Sequence, residues 1–200
     1  MEHDLFELDI GVYSRPCFGE RVNGDWAYVT NEGEWYFIAI IDGIGHGKNA
    51  NLIARSAKDV LTKHWSVDLS QTIKLLDEKL STTDGAAGAV AVLNIKTGVL
   101  NYMGVGNTIF LKTGTTSERL YSVEGMIGGR SRKPRQQNLM IKKKDVLFFC
   151  TDGISYNKKL KELENLKSPS ASVLAKNIVL SFGSEFDDAT CIVIKTGYES

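Results

Sequence analysis

The order of the predicted elements indicates an α+β fold, a sandwich whose strands are mainly antiparallel. Two observations favour this class. Short turns join most of the strand patterns, and the helical patterns fall into two separated blocks. Two hundred residues suit one domain with a buried core, which we expect to span residues 1–200.

The first three strands are predicted at residues 5–14, 25–30 and 35–41. The third, WYFIAII, is apolar throughout, which is typical of a strand buried on both faces. The sequence Asn-Glu-Gly at 31–33 predicts a hairpin turn between the second and third strands. Because such strands are antiparallel neighbours, Asp25 at the start of one should lie beside Asp42 at the end of the other.

Helical patterns follow at residues 48–65 and 68–80, where apolar residues recur along one face. The chain then shows strand patterns at 88–94, 99–105, 108–112 and 119–123, which we interpret as an antiparallel meander. A basic, irregular loop at 124–137 precedes strands at 138–141 and 145–151.

The last part of the chain predicts two helices and one strand. A charged helical segment is predicted at 157–167. The next helix should begin with Ser168 as its N-cap and Pro169 as its first residue, and should run to Phe182. The final strand is predicted at 189–195.

Charge and composition exclude several classes of protein. Lys+Arg and Asp+Glu both number 24, so we expect no nucleic-acid partner, and the run from Arg130 to Arg135 is interpreted as a solvated face or a docking edge for an acidic protein. No apolar run approaches the roughly 18 residues of a membrane span, and the acidic start lacks the apolar core of a signal peptide. Three scattered cysteines without metal-binding spacing indicate a reducing compartment, and we expect a cytoplasmic protein.

Four carboxylates at strand ends are the candidate functional residues: Asp25, Asp42, Asp152 and Asp187. Gathered without basic neighbours they would repel one another, and one or two divalent cations would relieve that repulsion. An all-oxygen donor set favours Mg²⁺ or Mn²⁺ over Zn²⁺. Since an Asp-Gly pair after a strand is also a common turn, the residues alone leave the structural interpretation of each acid open.

Four motifs follow one another along the chain: Gly24-Asp25, DGIGHG at 42–47, Thr151-Asp152-Gly153 and Asp187-Asp188-Ala189-Thr190. Their order and spacing resemble those of the metal-dependent serine/threonine protein phosphatases of the type 2C superfamily. The DG-hydrophobic-GHG form is similar to the bacterial SpoIIE branch. The resemblance covers nearly the whole chain. It implies a four-layer α-β-β-α sandwich of two mainly antiparallel sheets, with the site at one end of the sheets.

The resemblance also implies roles for the acids and for one glycine. Asp42 would bridge two Mn²⁺ or Mg²⁺ ions, and Gly43 would offer its carbonyl to one of them. Asp152 and Asp187 would complete the ligands of the second ion, and Asp25 would act on the first. Asp42 and Asp152 are therefore the candidate catalytic residues.

Four other polar side chains lie near these motifs. Asp188 matches a position beside the ligands. Arg15 and Arg21 are candidates for phosphate binding, although a solvated surface position is the simpler interpretation of each. His46 is either a proton donor or a histidine in a solvent-exposed turn.

Two functions are compatible with the resemblance. The first is a phosphatase that acts on phosphorylated regulatory proteins, by resemblance STAS-domain proteins of a bacterial stress pathway. The second is a phosphatase-like module that binds a partner without turnover. Such a module should lack some of the core acids, and none of them is missing from this sequence.

Overall fold

Two five-stranded sheets pack face to face in the computed structural model, which describes residues 7–129, 133–155 and 170–197. Within these ranges the helices are α1 (Gly47–His64), α2 (Leu69–Leu80) and α3 (Ala171–Phe182). The strands are β1 (Leu8–Arg15), β2 (Asp25–Glu32), β3 (Trp35–Gly43), β4 (Ala86–Asn94), β5 (Val99–Val105), β6 (Ile109–Thr113), β7 (Glu118–Tyr121), β8 (Gln137–Met140), β9 (Val146–Cys150) and β10 (Ala189–Thr196).

The strand order is β1-β10-β9-β6-β7 in one sheet and β2-β3-β4-β5-β8 in the other. All of these pairings are antiparallel. Helices α1 and α2 cover the outer face of the second sheet, and α3 covers the outer face of the first. The layers therefore run α-β-β-α, which confirms the predicted fold class.

Strand β3 is apolar along most of its length because its two faces contact two different hydrophobic cores. Phe37, Ala39 and Ile41 point into the core beneath α1 and α2, whereas Ile38 and Ile40 point into the core between the sheets. All five have no exposed surface. The prediction of a strand buried on both faces is confirmed, and burial on each side stabilises the strand through the hydrophobic effect.

The predicted meander is wrong in one respect. Strands β4 and β5 belong to the second sheet, but β6 and β7 belong to the first, so the chain crosses between sheets after β5. The turn residue Gly106 has a φ of 90°, which favours glycine. Strands β4 and β6 are buried along their whole length, so their sequence pattern does not reveal which sheet each one joins.

Some predictions fall on residues outside the described ranges, namely the helix at 157–167, the N-cap at Ser168, Pro169, and Arg130 and Arg132 of the basic loop. Helix α3 begins at Ala171, two residues later than predicted. Its N-cap is Ser170, whose side chain accepts a hydrogen bond from the Val173 amide. Among the residues that the structure describes, no helix is long and apolar enough to cross a membrane.

A buried ion pair lies at the end of β9 opposite to the predicted acid site. The Lys112 ammonium contacts Glu118 Oε1 at 2.8 Å and Asp145 Oδ2 at 3.5 Å, and Lys112 and Asp145 are almost completely buried. Asp145 also accepts hydrogen bonds from the backbone amides of Thr115 and Lys142. This network joins the β6–β7 hairpin to the start of β9.

We expect Asp145→Ala to lower the free energy of unfolding by about 3–5 kcal/mol, because it removes the buried carboxylate partner of Lys112 and leaves two backbone amides without their acceptor. Urea denaturation measures the change. The control is Glu34→Ala, which breaks the exposed pair with Lys96 and should cost less than about 1 kcal/mol. Equal losses in the two variants would show that the buried network does not stabilise the fold.

Candidate metal centre

The ends of four strands bring the predicted acids to one end of the sandwich. The register of β2 and β3 pairs Asp25 directly with Asp42, as the sequence predicts. Asp152 follows β9 and Asp187 precedes β10. These two strands are antiparallel neighbours, and Cys150 lies opposite Cys191 in their register. Each sheet thus contributes two acids to the same region.

An open cleft of about 280 Å³ lies where these strand ends meet. Asp42, Asp152 and Asp187 line it together with Ile44, Gly45, His46, Ala87, Asn107 and Phe186. Asp25 is buried beside Asp42, with 6% of its surface exposed. The structure therefore brings together three predicted acids in the cleft and a fourth in its wall.

The two glycines that follow Asp42 and Asp152 permit this convergence. A Cβ atom on Gly43 would collide with the carbonyl oxygen of Ala50 in α1. A Cβ atom on Gly153 would collide with the carbonyl oxygen of Asp188. The absence of a side chain on these glycines thus lets the backbone of another segment pack closely against the end of the strand that carries the acid.

The electrostatics of the cleft disfavour several negative charges in the absence of a cation. Burial, followed by the charges of Asp25 and Asp152, raises the pKa of Asp42 to about 9. Burial is also the main reason why the pKa of Asp25 rises to about 7, although a hydrogen bond from Thr151 opposes it. Burial, with the charge of Asp152 next, raises the pKa of Asp187 as well.

Neighbouring polar groups hold the acids in place. Thr151 Oγ1 donates to Asp25 Oδ2 at 2.8 Å, and it accepts a hydrogen bond from the Thr190 amide. The Asn107 side-chain amide donates to Asp152 Oδ2. Sequence reasoning assigned no role to Thr151 or Asn107. The only signals were that Thr151 lies in the Thr-Asp-Gly motif and that Asn107 follows Gly106 in a turn.

Asp188 has a different environment from Asp187. Its two carboxylate oxygens accept hydrogen bonds of 2.8 Å from the backbone amides of Cys17 and Gly24. Only 2% of its surface is exposed. Asp188 therefore ties the loop between β1 and β2 to the start of β10, and both of its oxygens already have partners.

The acids of the cleft supply the oxygen donors that a hard divalent cation prefers. Asp25 Oδ1 is buried and has no hydrogen-bond partner, which is costly for a carboxylate and leaves an oxygen available to a ligand. Within the described ranges, no three His, Cys, Asp or Glu side chains already form a set that could hold an ion. Mg²⁺ retains several waters and takes only one or two carboxylates, so the close acids supply the kind of ligands it uses.

The other three candidate side chains have distinct environments. Arg15 is half-buried rather than solvated, because its guanidinium donates to the carbonyl oxygens of Pro16 and Ser184. Arg21 is exposed, as predicted for a solvated side chain. His46 lines the cleft, is mostly exposed, and places Nδ1 3.0 Å from Glu20 Oε1.

The four-layer fold and the acid-lined cleft define a phosphatase domain of the type 2C class. The family model for Stage II sporulation protein E (SpoIIE) matches residues 32–197, which is well over half of the chain. The chain therefore belongs to the SpoIIE family, and the resemblance seen in its motifs is confirmed.

Known proteins similar to this chain include the phosphoserine phosphatase RsbX of Bacillus subtilis (strain 168), which is 23% identical over 184 residues, covering 91% of this chain and 92% of RsbX. A solved structure of RsbX in complex with magnesium has a TM-score of 0.83 at 21% identity and covers 98% of both chains. A solved structure from work on the bacterial stressosome has a TM-score of 0.88 at 25% identity, covering 94% of this chain and 100% of that one.

The raised pKa values predict how the metal-free protein responds to pH. The carboxyls of Asp25 and Asp42 keep their protons to a higher pH when folded than when unfolded. The free energy of unfolding should therefore fall as the pH rises through the window from about 4 to about 9. We expect Asp42→Asn to raise the melting temperature in EDTA at pH 8, with a smaller difference at pH 4.5, as measured by circular dichroism.

The control for this experiment is Asp59→Asn, which changes an exposed acid on α1 outside the cleft. Each kcal/mol of repulsion removed should raise the melting temperature by about 2–4 °C in a chain of this size. An Asp42→Asn variant that melts like the control variant at pH 8 would contradict the electrostatic account.

Proposed function

We propose that this SpoIIE-family phosphatase depends on divalent metal ions and removes phosphate from phosphoserine or phosphothreonine in proteins. The observation that carries the proposal is the meeting of Asp42, Asp152 and Asp187 in one open cleft. These acids come from the two sheets and are brought together only by the fold. Cations bound in the cleft would reduce the mutual repulsion of these carboxylates.

The proposed ligands of two Mg²⁺ or Mn²⁺ ions are the four acids and the carbonyl of Gly43, with Asp42 shared between the ions. The unpartnered Oδ1 of Asp25 and the raised pKa values of Asp25, Asp42 and Asp187 support this assignment. Such ions, when bound, polarise a phosphoryl group and lower the pKa of a coordinated water.

The chain's own residues keep the acids in position for this chemistry. Asp42 and Asp152 are the candidate catalytic residues, and burial, followed by the charges of Asp25 and Asp152, raises the pKa of Asp42. Asn107 orients Asp152 by donating to one of its oxygens, and Thr151 orients Asp25 in the same way. Asp25 Oδ1 has no hydrogen-bond partner, and we propose that this oxygen faces a ligand.

The proposed substrates are phosphorylated regulatory proteins of bacterial stress or sigma-factor signalling, such as STAS-domain components of a stressosome. The similarity to RsbX and to a structure from work on the stressosome supports this assignment. We also propose a single domain across residues 1–200 that acts in the cytoplasm without nucleic-acid or membrane partners. The zero formal net charge supports the absence of a nucleic-acid partner.

We expect Asp42→Ala and Asp152→Ala to lower kcat/KM for a phosphoserine protein by about a thousandfold or more, because metal ions contribute several kcal/mol of charge stabilisation. Phosphate release from a phosphoprotein and from p-nitrophenyl phosphate with Mn²⁺ or Mg²⁺ measures the loss. Asp59→Ala is the matched control. Retained activity in either cleft variant would refute the proposed site.

Calorimetry with Mn²⁺ separates the enzyme from a phosphatase-like binding module. The proposed enzyme binds Mn²⁺ and releases phosphate, and Asp42→Ala weakens both. A chain that has no affinity for Mn²⁺ and no turnover of any phosphoprotein tested would instead support the binding module.

Asn107→Ala should lower activity about 10–100-fold, as is typical when a partner that orients a metal ligand is removed. It should also raise the Mn²⁺ concentration needed for half-maximal activity. Stability should change by less than about 0.5 kcal/mol, because Asn107 is exposed. Asn138→Ala, an exposed amide on β8, is the control, and equal activity in the two variants would remove Asn107 from the site.

A further inference from the structure

Two phenylalanines, Phe186 in the lining of the cleft and Phe18 in an adjoining loop, are the most exposed large hydrophobic side chains in the described part of the chain. Phe186 exposes 90% of its surface and Phe18 exposes 84%, whereas the next value is 63%, at Tyr121. Single exposed apolar side chains are ordinary on protein surfaces. The position and the backbone support of these two distinguish them from the others.

Phe186 stands between two recesses. It lines the acid-lined cleft and immediately precedes Asp187. It also lines a neighbouring hollow of about 350 Å³, together with Ser155 and Ser184. A phosphorylated segment bound in the cleft can therefore contact the Phe186 side chain, and its flanking residues can extend into the second hollow.

The loop of Phe18 is attached to the loop of Phe186. The Phe18 amide donates to the Glu185 carbonyl at 2.9 Å, and the Cys17 amide donates to Asp188 Oδ1 at 2.8 Å. The Phe186 amide donates to Ser184 Oγ at 3.2 Å. Hydrogen bonds thus hold the backbone beneath both rings, so the rings are presented to solvent without a large ordering cost on binding.

The cleft itself offers little attraction to a phosphate group apart from bound cations. Its lining includes three aspartates and no Lys or Arg among the described residues. Arg15 is occupied by backbone carbonyls. Contacts remote from the reacting phosphate must therefore supply much of the affinity and selectivity for a protein substrate. Exposed aromatic rings are well suited to that role, because burying them releases a large apolar area.

We propose that Phe18 and Phe186 determine substrate specificity by packing against an apolar side chain next to the phosphoserine of a protein substrate. The inference rests on the proposed phosphatase function and deepens it. The occupant is a phosphoserine-bearing segment of a partner protein, because its phosphate reaches the acid-lined cleft while a flanking residue lies against the rings. Free phosphate and small polar phosphomonoesters lack the apolar group that the two phenylalanines recognise.

The test compares two synthetic phosphoserine peptides of equal length and charge. One carries leucine on both sides of the phosphoserine and the other carries glycine. With saturating Mn²⁺, we expect the wild type to prefer the leucine peptide by about tenfold or more in kcat/KM, a ratio that corresponds to about 1.4 kcal/mol. Phe18→Ala and Phe186→Ala should each reduce this preference severalfold, mainly through KM for the leucine peptide.

Two further variants test whether the change in peptide preference is specific to the two aromatic rings. Phe186→Leu should restore part of the preference, since it restores apolar area without the aromatic ring. Leu180→Ala removes an exposed apolar side chain on α3 and should leave both peptides unaffected. An unchanged preference in both Phe variants would overturn the proposal, and so would an equal loss for both peptides, which would indicate that the rings only support the Asp187 loop.

Other outcomes separate this proposal from the proposed function. If the wild type releases phosphate from neither peptide nor a phosphoprotein, the phosphatase assignment fails, and calorimetric titration with the leucine peptide then tests the phenylalanines alone. If Phe186→Ala binds the leucine peptide more weakly than the wild type does, the proposed role of the phenylalanines is supported. If the wild type itself does not bind the leucine peptide, that role is wrong. If Phe186→Ala instead converts a dimer to a monomer in sedimentation, the rings contact a second copy and the proposal is wrong.

Discussion

Carboxylates that repel one another are held together here by strands that cannot separate. Asp25 and Asp42 are paired directly in the register of β2 and β3. Moving them apart would break the pairing of β3, whose buried side chains belong to two hydrophobic cores. Each large apolar side chain in such a core contributes roughly 1.5–3 kcal/mol, so the core outweighs the repulsion at its edge. The unfavourable electrostatics therefore remain in the native state, and the proposed cations would relieve them.

The cleft lies on the seam between the two sheets, and this position makes it sensitive to the packing between them. Asp25 and Asp42 belong to one sheet, and Asp152 and Asp187 border strands of the other. The core between the sheets therefore sets the separation of the two pairs of acids. Contacts that cross the seam, such as Thr151 to Asp25, are the local restraints on that separation. A site built in this way requires the complete sandwich, because neither sheet carries all four acids.

Much of the architecture was predictable from local patterns, and the long-range pairing was not. The strand and helix bounds agree with the prediction to within a few residues, and the pairing of Asp25 with Asp42 follows from a short hairpin. The membership of β6 and β7 in the first sheet was missed, because β6 is fully buried and its sequence pattern does not identify a partner, and β7 pairs with β6 in a hairpin. The Lys112–Asp145 pair, Asn107 and the exposed rings were missed for a related reason. Their significance depends on neighbours that are remote in the sequence.

Asp187 and Asp188 are adjacent in the sequence but have different environments in the structure. Asp187 lines the cleft, and the charge of Asp152 contributes to raising its pKa. Asp188 is buried, and both of its oxygens accept hydrogen bonds from backbone amides. The oxygens of Asp145 are likewise bonded to Thr115 and Lys142, whereas Asp25 has one oxygen without a partner. Asp25, Asp145 and Asp188 are all buried acids, so burial alone does not separate them. Asp25 differs in keeping a buried oxygen without a partner, which is the reason for proposing it as a ligand.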